Sequence, residues 1–320
     1  MTERWPTVTV AILTWNGDRY LGQILDALAS QRYDGNYEVL VIDSGSTDGT
    51  LAIVARHPEV RLHEIPNSEF GHGTTRNLAA RLATGDVVAY LTHDAVPATD
   101  SWLQELVRPL ADDSRIAAVL GRQIARPDAP PVLKYDIRRV FDRQGPRTGI
   151  TVSWDTGVEL SPVDRAVATF YSDANSAARR EVLLGPVPYR DVAYAEDQVF
   201  GRDLFDAGLR KAYAPRGAVE HSNDTDLRSF GARIRADVLG LRTIGTAIPP
   251  VSAFAAVKQT VKWSTADAAD ILLDPEYSTA RKLGWLLRNP WYHLAKWRAY
   301  RAATRAPLPA LAADGRSNAV

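Results

Sequence analysis

A few side chains in this 320-residue chain have the types and spacing that chemistry requires. Asp94 closes the hydrophobic segment Val87-Val-Ala-Tyr-Leu-Thr-His-Asp94 as a lone carboxylate at a strand tip. Upstream, Glu69-Phe-Gly-His-Gly-Thr-Thr-Arg-Asn77 is a polar, glycine-containing loop that opens a helix. The free N–H groups of a helix start, with Arg76, suit a phosphate. A carboxylate beside them suits a divalent cation that bridges to that phosphate. The two segments together predict a nucleoside-diphosphate site with a metal. Asp94 can equally be read as capping the helix after Pro97. His221, before Ser-Asn-Asp, is either a further metal ligand or a plain loop histidine. Glu196-Asp197 opens a helix, where acids are favoured by the dipole in any case. Read chemically, a carboxylate on a cleft floor is a general base for an acceptor hydroxyl. Asp43, in Asp43-Ser-Gly-Ser-Thr-Asp48, either contacts a base or ribose or belongs to a strand-to-helix turn in which Asp and Ser cap the next helix. Asp48 reads as a helix cap.

These groups need elements to hold them. Val8–Leu13 is a β-branched apolar run of the kind buried in a parallel sheet, followed by the loop Thr14-Trp-Asn-Gly17. Tyr20, Leu21, Ile24, Leu25 and Leu28 recur at helical spacing, with Asp18 as a cap. Tyr37–Ile42 is a second buried strand, a helix starts near Thr50, and Val60–Ile65 is a third strand. The order β-α-β-α-β implies right-handed crossovers and a parallel sheet. In such sheets ligands bind beyond the carboxyl ends of the strands, which is where Asp43 and Asp94 fall. A helix over 73–84, a strand over 86–91, a helix over 102–110 and a strand over 116–120 continue the pattern. Residues 126–148, rich in proline, arginine and aspartate, read as an excursion that crosses or lids the site. Thr169–Asn175 is expected as a strand, Ser176–Leu184 as a short helix and Ala195–Ala207 as a helix capped by Gly208. Leu209–Ala214 and Gly217–His221 are expected as extended pieces.

Composition excludes several classes. The chain is 45% hydrophobic and 24% charged, as in ordinary globular proteins. Its formal net charge is zero, so no global field points to nucleic acid, and no nucleic-acid-binding motif is present. With no cysteine, disulfides and thiolate metal sites are excluded, and a reducing compartment is expected. The start lacks a signal-peptide pattern and no run is apolar enough to span a membrane, so a cytoplasmic location is expected.

After residue 224 the pattern turns helical. Between Arg281 and Arg305 lie seven basic residues and no acid, interleaved with Trp285, Leu287, Trp291, Tyr292, Trp297 and Tyr300. This segment reads either as an amphipathic surface on an anionic membrane or as a helix packed through its tryptophans. Pro290 is expected to divide it into two helices. The tail 306–320 is expected to be disordered.

Taken in order, VTVAILTWNG, VLVIDSGSTDGT, the TRN helix, YLTHDAVP, NSAARR, AEDQVFGRDLFDAGLRKAYAP and VEHS resemble the family-two, inverting glycosyltransferases of the GT-A fold. The resemblance covers residues 7–222, and FGHGTTRN with LTHDA is most similar to the bacterial rhamnosyltransferase branch. It implies an α/β GT-A domain over 1–224, a mostly parallel central sheet flanked by helices, and a helical C-terminal extension over 225–305. It implies that Asp43, Thr14 and Asn16 take the donor base, that Arg76, Thr92 and His93 approach the donor nucleotide, and that Asp94 and His221 bind Mg2+ or Mn2+. Asp197 becomes the base, Glu196 shapes the acceptor pocket, and Asn175, Arg179 and Arg180 line the acceptor side. Thr92 departs from the family, which carries an aspartate there, so metal affinity is expected to be lower. The implied reaction moves L-rhamnose from dTDP-L-rhamnose to a cell-surface glycan or lipid-linked acceptor, at the inner face of the plasma membrane. The alternatives are a UDP- or GDP-sugar donor and a non-catalytic protein that retains the nucleotide pocket.

Overall fold

Four adjacent strands carry the first half of the architecture: β1 (Val8–Thr14), β2 (Tyr37–Asp43), β3 (Val60–Glu64) and β4 (Val87–Thr92). A computed structural model describes residues 5–222 and 225–308, so the part of the predicted tail from 309 onward lies outside the described residues. All four strands are parallel, in the order β3-β2-β1-β4. The interiors of β1, β2 and β4 are mostly apolar and covered on both faces, with Val10, Ile12, Val41 and Val87 fully buried, whereas the edge strand β3 is largely exposed. Helix α1 (Leu21–Ala29) buries Leu21, Ile24, Leu25 and Leu28, the residues whose spacing predicted it. Helices α2 (Thr50–Val54), α3 (His72–Leu82) and α4 (Trp102–Asp112) make the other connections. The chain winds outward from β1 to β3 and returns to β4 on the other side of β1. The switch point, where a ligand crevice is expected, is therefore between the ends of β1 and β4.

The rest of the sheet is mixed. The short β5 (Val96–Pro97), β6 (Ile116–Ile124), β7 (Thr151–Ser153), β8 (Asn175–Arg179) and β9 (Arg210–Glu220) complete nine strands. β8 lies between β4 and β6 and is antiparallel to both, whereas β6 and β9 are parallel. The strand expected at 169–175 and the helix expected from 176 are thus corrected. β8 occupies 175–179 and the helix α7 is only Arg180–Leu184. Asn-Ser-Ala-Ala-Arg has little intrinsic strand preference, and pairing on both edges imposes the strand. The two extended pieces expected at 209–214 and 217–221 are one strand, β9, whose register against β6 shifts at Gly121/Arg122. The excursion contains helix α5 (Pro131–Asp142), and β7 and helix α6 (Pro162–Thr169) follow it.

By contact the chain divides into two units. The first comprises residues 5–124, 140–192 and 196–221, and the second 125–139, 193–195 and the described residues from 222 onward. Helix α8 (Glu196–Asp206) belongs to the first unit. The second contains helices α9 (Leu227–Thr243), α10 (Ala253–Leu273) and α11 (Thr279–Arg305). Its core joins Val132, Tyr135, Phe230, Ile271, Tyr277, Trp285 and Tyr292. Buried Asp267 on α10 is held by His293 at 2.7 Å and Arg139 at 2.5 Å. Helix α11 runs through Pro290 without dividing. The proline costs one N–H, but it sits at an exposed position while Asn289 before it and Tyr292 and His293 beyond it pack inward.

Candidate active site

At the end of β1 the loop 14–18 and the loop 43–50 lock together. Asn16 adopts φ +50°, a conformation asparagine tolerates better than most residues. Its N–H donates to Ser46 Oγ at 2.8 Å, and its Oδ1 accepts from the Thr47 N–H at 2.8 Å. Asp43 is 0% exposed. Its Oδ1 accepts from the N–H groups of Gly45 and Ser46 at 3.0 and 2.9 Å, and its Oδ2 from Ser46 Oγ at 2.5 Å. These bonds hold the turn 43–46 itself, and Asp43 caps no helix, since α2 begins only at Thr50. Asp48 accepts from the N–H and hydroxyl of Thr50, as a cap does. Two groups are left without such partners. Thr14 Oγ1 is buried with no hydrogen-bond partner among the described residues. Trp15 is 49% exposed and presents an aromatic face at the strand tip. Gly17 is required here, since a Cβ would lie 2.6 Å from Thr14 Oγ1 and 3.1 Å from His93 Cβ.

Asp94 and His221, far apart in sequence, come together, with His221 Nε2 3.4 Å from Asp94 Oδ2. Burial would raise the Asp94 pKa, but the hydrogen bond and charge of His221, with Thr92 and His93 adding to them, hold it well below the usual carboxylate range. The other ring nitrogen, Nδ1, lies 3.0 Å from Gln123 Oε1. Gln123 uses its amide nitrogen on Ser172 Oγ at 2.9 Å, so its oxygen faces the ring and accepts the Nδ1 proton. That tautomer leaves the Nε2 lone pair facing a carboxylate. Such a face needs a cation, either a second proton on the ring or a metal ion, and an outer partner on Nδ1 is the usual support for a metal-binding histidine. No group of three or more His, Asp or Glu side chains suited to a metal occurs among the described residues. The pair fits a cation that takes its remaining ligands from a substrate diphosphate and water, as Mg2+ commonly does.

One residue beyond Ser172, Asp173 starts a buried acid cluster. Arg76 Nε lies 2.8 Å from Asp173 Oδ2, and Arg76 Nη1 lies 2.5 Å from Glu196 Oε1. Asp173 also accepts from Tyr189 Oη and Ser176 Oγ, both at 2.7 Å. Asp197 accepts the Gln198 N–H at 2.7 Å and the Asp173 N–H at 3.4 Å. Burial, then the charges of Glu196 and Asp173, push the Asp197 pKa well above the usual carboxylate range. Ala195, immediately before, has φ +57°. It and Asn16, in the loop after β1, are the only non-glycine residues with positive φ among the described residues.

Several expected site residues have their polar groups taken up within the protein. Arg76 is 6% exposed and its guanidinium is taken up by two buried carboxylates, so it is turned away from the role of diphosphate ligand. Its neighbour Asn77 clamps Tyr189 through both backbone groups, at 2.8 and 3.0 Å. Asn175 is fully buried. Its Oδ1 accepts from Trp102 Nε1, and its amide donates to the carbonyls of Arg122 and Gly217. It therefore fastens strands, with both amide protons used and the side chain fully buried. Arg179 pairs with Val87, at the start of β4, and donates to the carbonyls of Ile116 and Leu110. Arg180 donates to Ala80 O. Because β8 is antiparallel, both arginines sit at the opposite end of the sheet from Asp94. The sequence reading missed Gln123, Asp173 and Trp15. An exposed tryptophan in a strand-tip loop was the one visible signal, whereas Gln123 and Asp173 are recognisable only through the sheet register.

Residues 9–184 match the family model described as glycosyl transferase family 2. The O-antigen chain rhamnosyltransferase RfbN of Salmonella typhimurium is 31% identical over 220 residues, 68% of this chain and 67% of that protein. The O-antigen chain rhamnosyltransferase WbaN of Salmonella anatum is 31% identical over 226 residues, with the same coverage. Among solved structures, the mannosyltransferase PcManGT of Pyrobaculum calidifontis, in complex with GDP-Man and Mn2+, is 25% identical. It superposes with a TM-score of 0.58 over 95% of this chain and 86% of that one. With a mixed sheet of this order and a family match over more than half its length, the chain belongs to glycosyl transferase family 2, a glycosyltransferase of GT-A fold that resembles the rhamnosyltransferases.

Proposed function

We propose that this enzyme transfers L-rhamnose from dTDP-L-rhamnose to a hydroxyl of a bacterial glycan or lipid-linked saccharide, with inversion at the anomeric carbon. The observation that carries the mechanism is Asp197, a carboxylate at the start of α8 whose proton affinity is raised by burial and by two neighbouring acids. A base with raised pKa is matched to removing a proton from a hydroxyl as that oxygen attacks. The Asp173 and Gln198 N–H groups orient it, and Arg76 ties Glu196 and Asp173 in place beside it. Arg76 is thus a positioning residue in this reading. The sugar–oxygen bond to the diphosphate breaks as the acceptor oxygen bonds to the anomeric carbon. The proton passes to Asp197, and the nucleoside diphosphate leaves with the electron pair. Asp94 and His221 would hold a divalent cation, which when bound supplies positive charge to the leaving diphosphate. On the donor side, the exposed face of Trp15 is free to stack on a nucleoside, with the buried Thr14 hydroxyl beneath the same loop.

The choice of rhamnose rests on the likeness to two O-antigen chain rhamnosyltransferases over two-thirds of the chain. A GDP-sugar is the second reading, favoured by the structural likeness to a mannosyltransferase solved with GDP-Man. The test is thermal shift with a panel of nucleotide sugars, each with and without Mn2+, followed by transfer assays. Selective stabilisation by dTDP-rhamnose is expected. Stabilisation by GDP-mannose alone would keep the mechanism and replace the donor.

A further inference from the structure

We infer that the α9–α11 face of the second unit is a docking surface for an anionic lipid bilayer, independent of which sugar the first unit transfers. Helix α11 sorts its large side chains by face. Trp285, Tyr292 and His293 are buried, while Leu283, Leu287 and Trp291, spaced four residues apart, are 60%, 76% and 60% exposed. Residues at that spacing share one stripe of a helix. Further along, Arg298, Arg301 and Arg305 continue the same stripe and are also exposed. Between α9 and α11 runs an open groove of about 550 Å3, lined by Leu227, Arg228, Arg235, Trp291, Leu294 and Arg298 among others, with no acid in its walls. Neither Arg235 nor Arg298 has an ion-pair partner among the described residues. The chain as a whole has zero formal net charge, so this unmatched positive charge is local.

An apolar stripe with a tryptophan, rimmed by arginines, is what an interface between lipid headgroups and acyl chains takes. The leucines and Trp291 enter the apolar boundary, and the arginines meet lipid phosphates. A second copy of the chain is disfavoured, because a two-fold contact through this face would set the same arginines against themselves. No helix of the described residues is long and apolar enough to cross a membrane, so contact would be through this face alone.

The full-length protein is tested by flotation with vesicles of phosphatidylcholine, with and without phosphatidylglycerol, at low and high salt. Binding is expected only with the anionic lipid, and to weaken with salt. At about fivefold per basic residue at a membrane surface, the triple variant Arg228→Gln, Arg235→Gln, Arg298→Gln should bind on the order of a hundredfold more weakly. Leu287→Ser with Trp291→Ser should also lose binding, with circular dichroism and melting temperature unchanged because both side chains are exposed. Equal flotation with both vesicle types, flotation with neither, or a triple variant that floats like the parent would overturn the proposal. So would a dimer in sedimentation velocity that Trp291→Ser dissociates, since the second copy would then be the occupant.

Discussion

The two sides of the candidate site handle polar groups in opposite ways. Around Asp43 the carboxylate is saturated by its own turn, with three donors from Gly45 and Ser46. Around Asp197 two other carboxylates, Asp173 and Glu196, take up the one guanidinium, Arg76, and burial with the charges of those two acids raises the Asp197 pKa. Between them Asp94 is displaced the other way, by His221. A satisfied carboxylate builds a wall, whereas a frustrated one is a reagent. In the proposed mechanism the contrast separates residues that shape the donor loop from those that would take a proton, although Asp43, Asp94 and Asp197 are all aspartates near strand ends or helix starts.

The largest effect should come from the frustrated side. Asp197→Asn should lower kcat by about 10²–10⁴ while donor binding by calorimetry stays intact. The same variant should melt higher at neutral pH. A carboxyl whose folded pKa is raised binds more protons folded than unfolded, so it subtracts stability as pH rises above its unfolded pKa, and the amide removes that term. An inactive variant that melts lower would dissolve the contrast. Next, Gln123→Ala should weaken Mn2+ binding, measured by titration calorimetry, by about 10–100-fold, because His221 loses the partner that orients it.

On the satisfied side, Asp43→Ala should cost about 1–3 kcal/mol of stability by denaturant melting, since the N–H groups of Gly45 and Ser46 lose their acceptor. Any loss of donor affinity should follow from loosening of that loop. A finer test is the pH profile. The acid limb of kcat should lie above the ordinary carboxylate range, and Glu196→Gln should move it down, because Glu196 is one of the charges that raise Asp197. The smallest effect on turnover is expected from Arg179→Met, at the far end of β8. It should lower the melting temperature and leave kcat/KM unchanged. A clear fall in kcat/KM would return Arg179 to the acceptor side.

Much of the parallel half of the fold was legible in the sequence. The β-branched runs of β1, β2 and β4 and the helical spacing of Leu21, Ile24, Leu25 and Leu28 carry their signals locally. Asp94 and Asp197 were visible as candidates because a strand-tip or helix-start acid is a local pattern. The misread parts are non-local. β8 has a sequence with no strand preference and exists because β4 and β6 both pair with it. Its antiparallel direction then carries Arg179 and Arg180 away from the tips of β1 and β4, against what their place in a linear motif suggests. Helix α11 passes Pro290 because tertiary packing on both sides outweighs one missing hydrogen bond.

By itself, then, the sequence determined the alternation of elements, the family pattern and the chemical types available, since periodicity, turn residues and acids at strand ends act over a few residues. Tertiary structure decided which acids are satisfied and which are not. It set His221 against Asp94, put Gln123 behind His221, and turned Arg76 onto Asp173 and Glu196. Proton affinity depends on burial and on charges brought together from distant positions, and only the folded sheet fixes those distances.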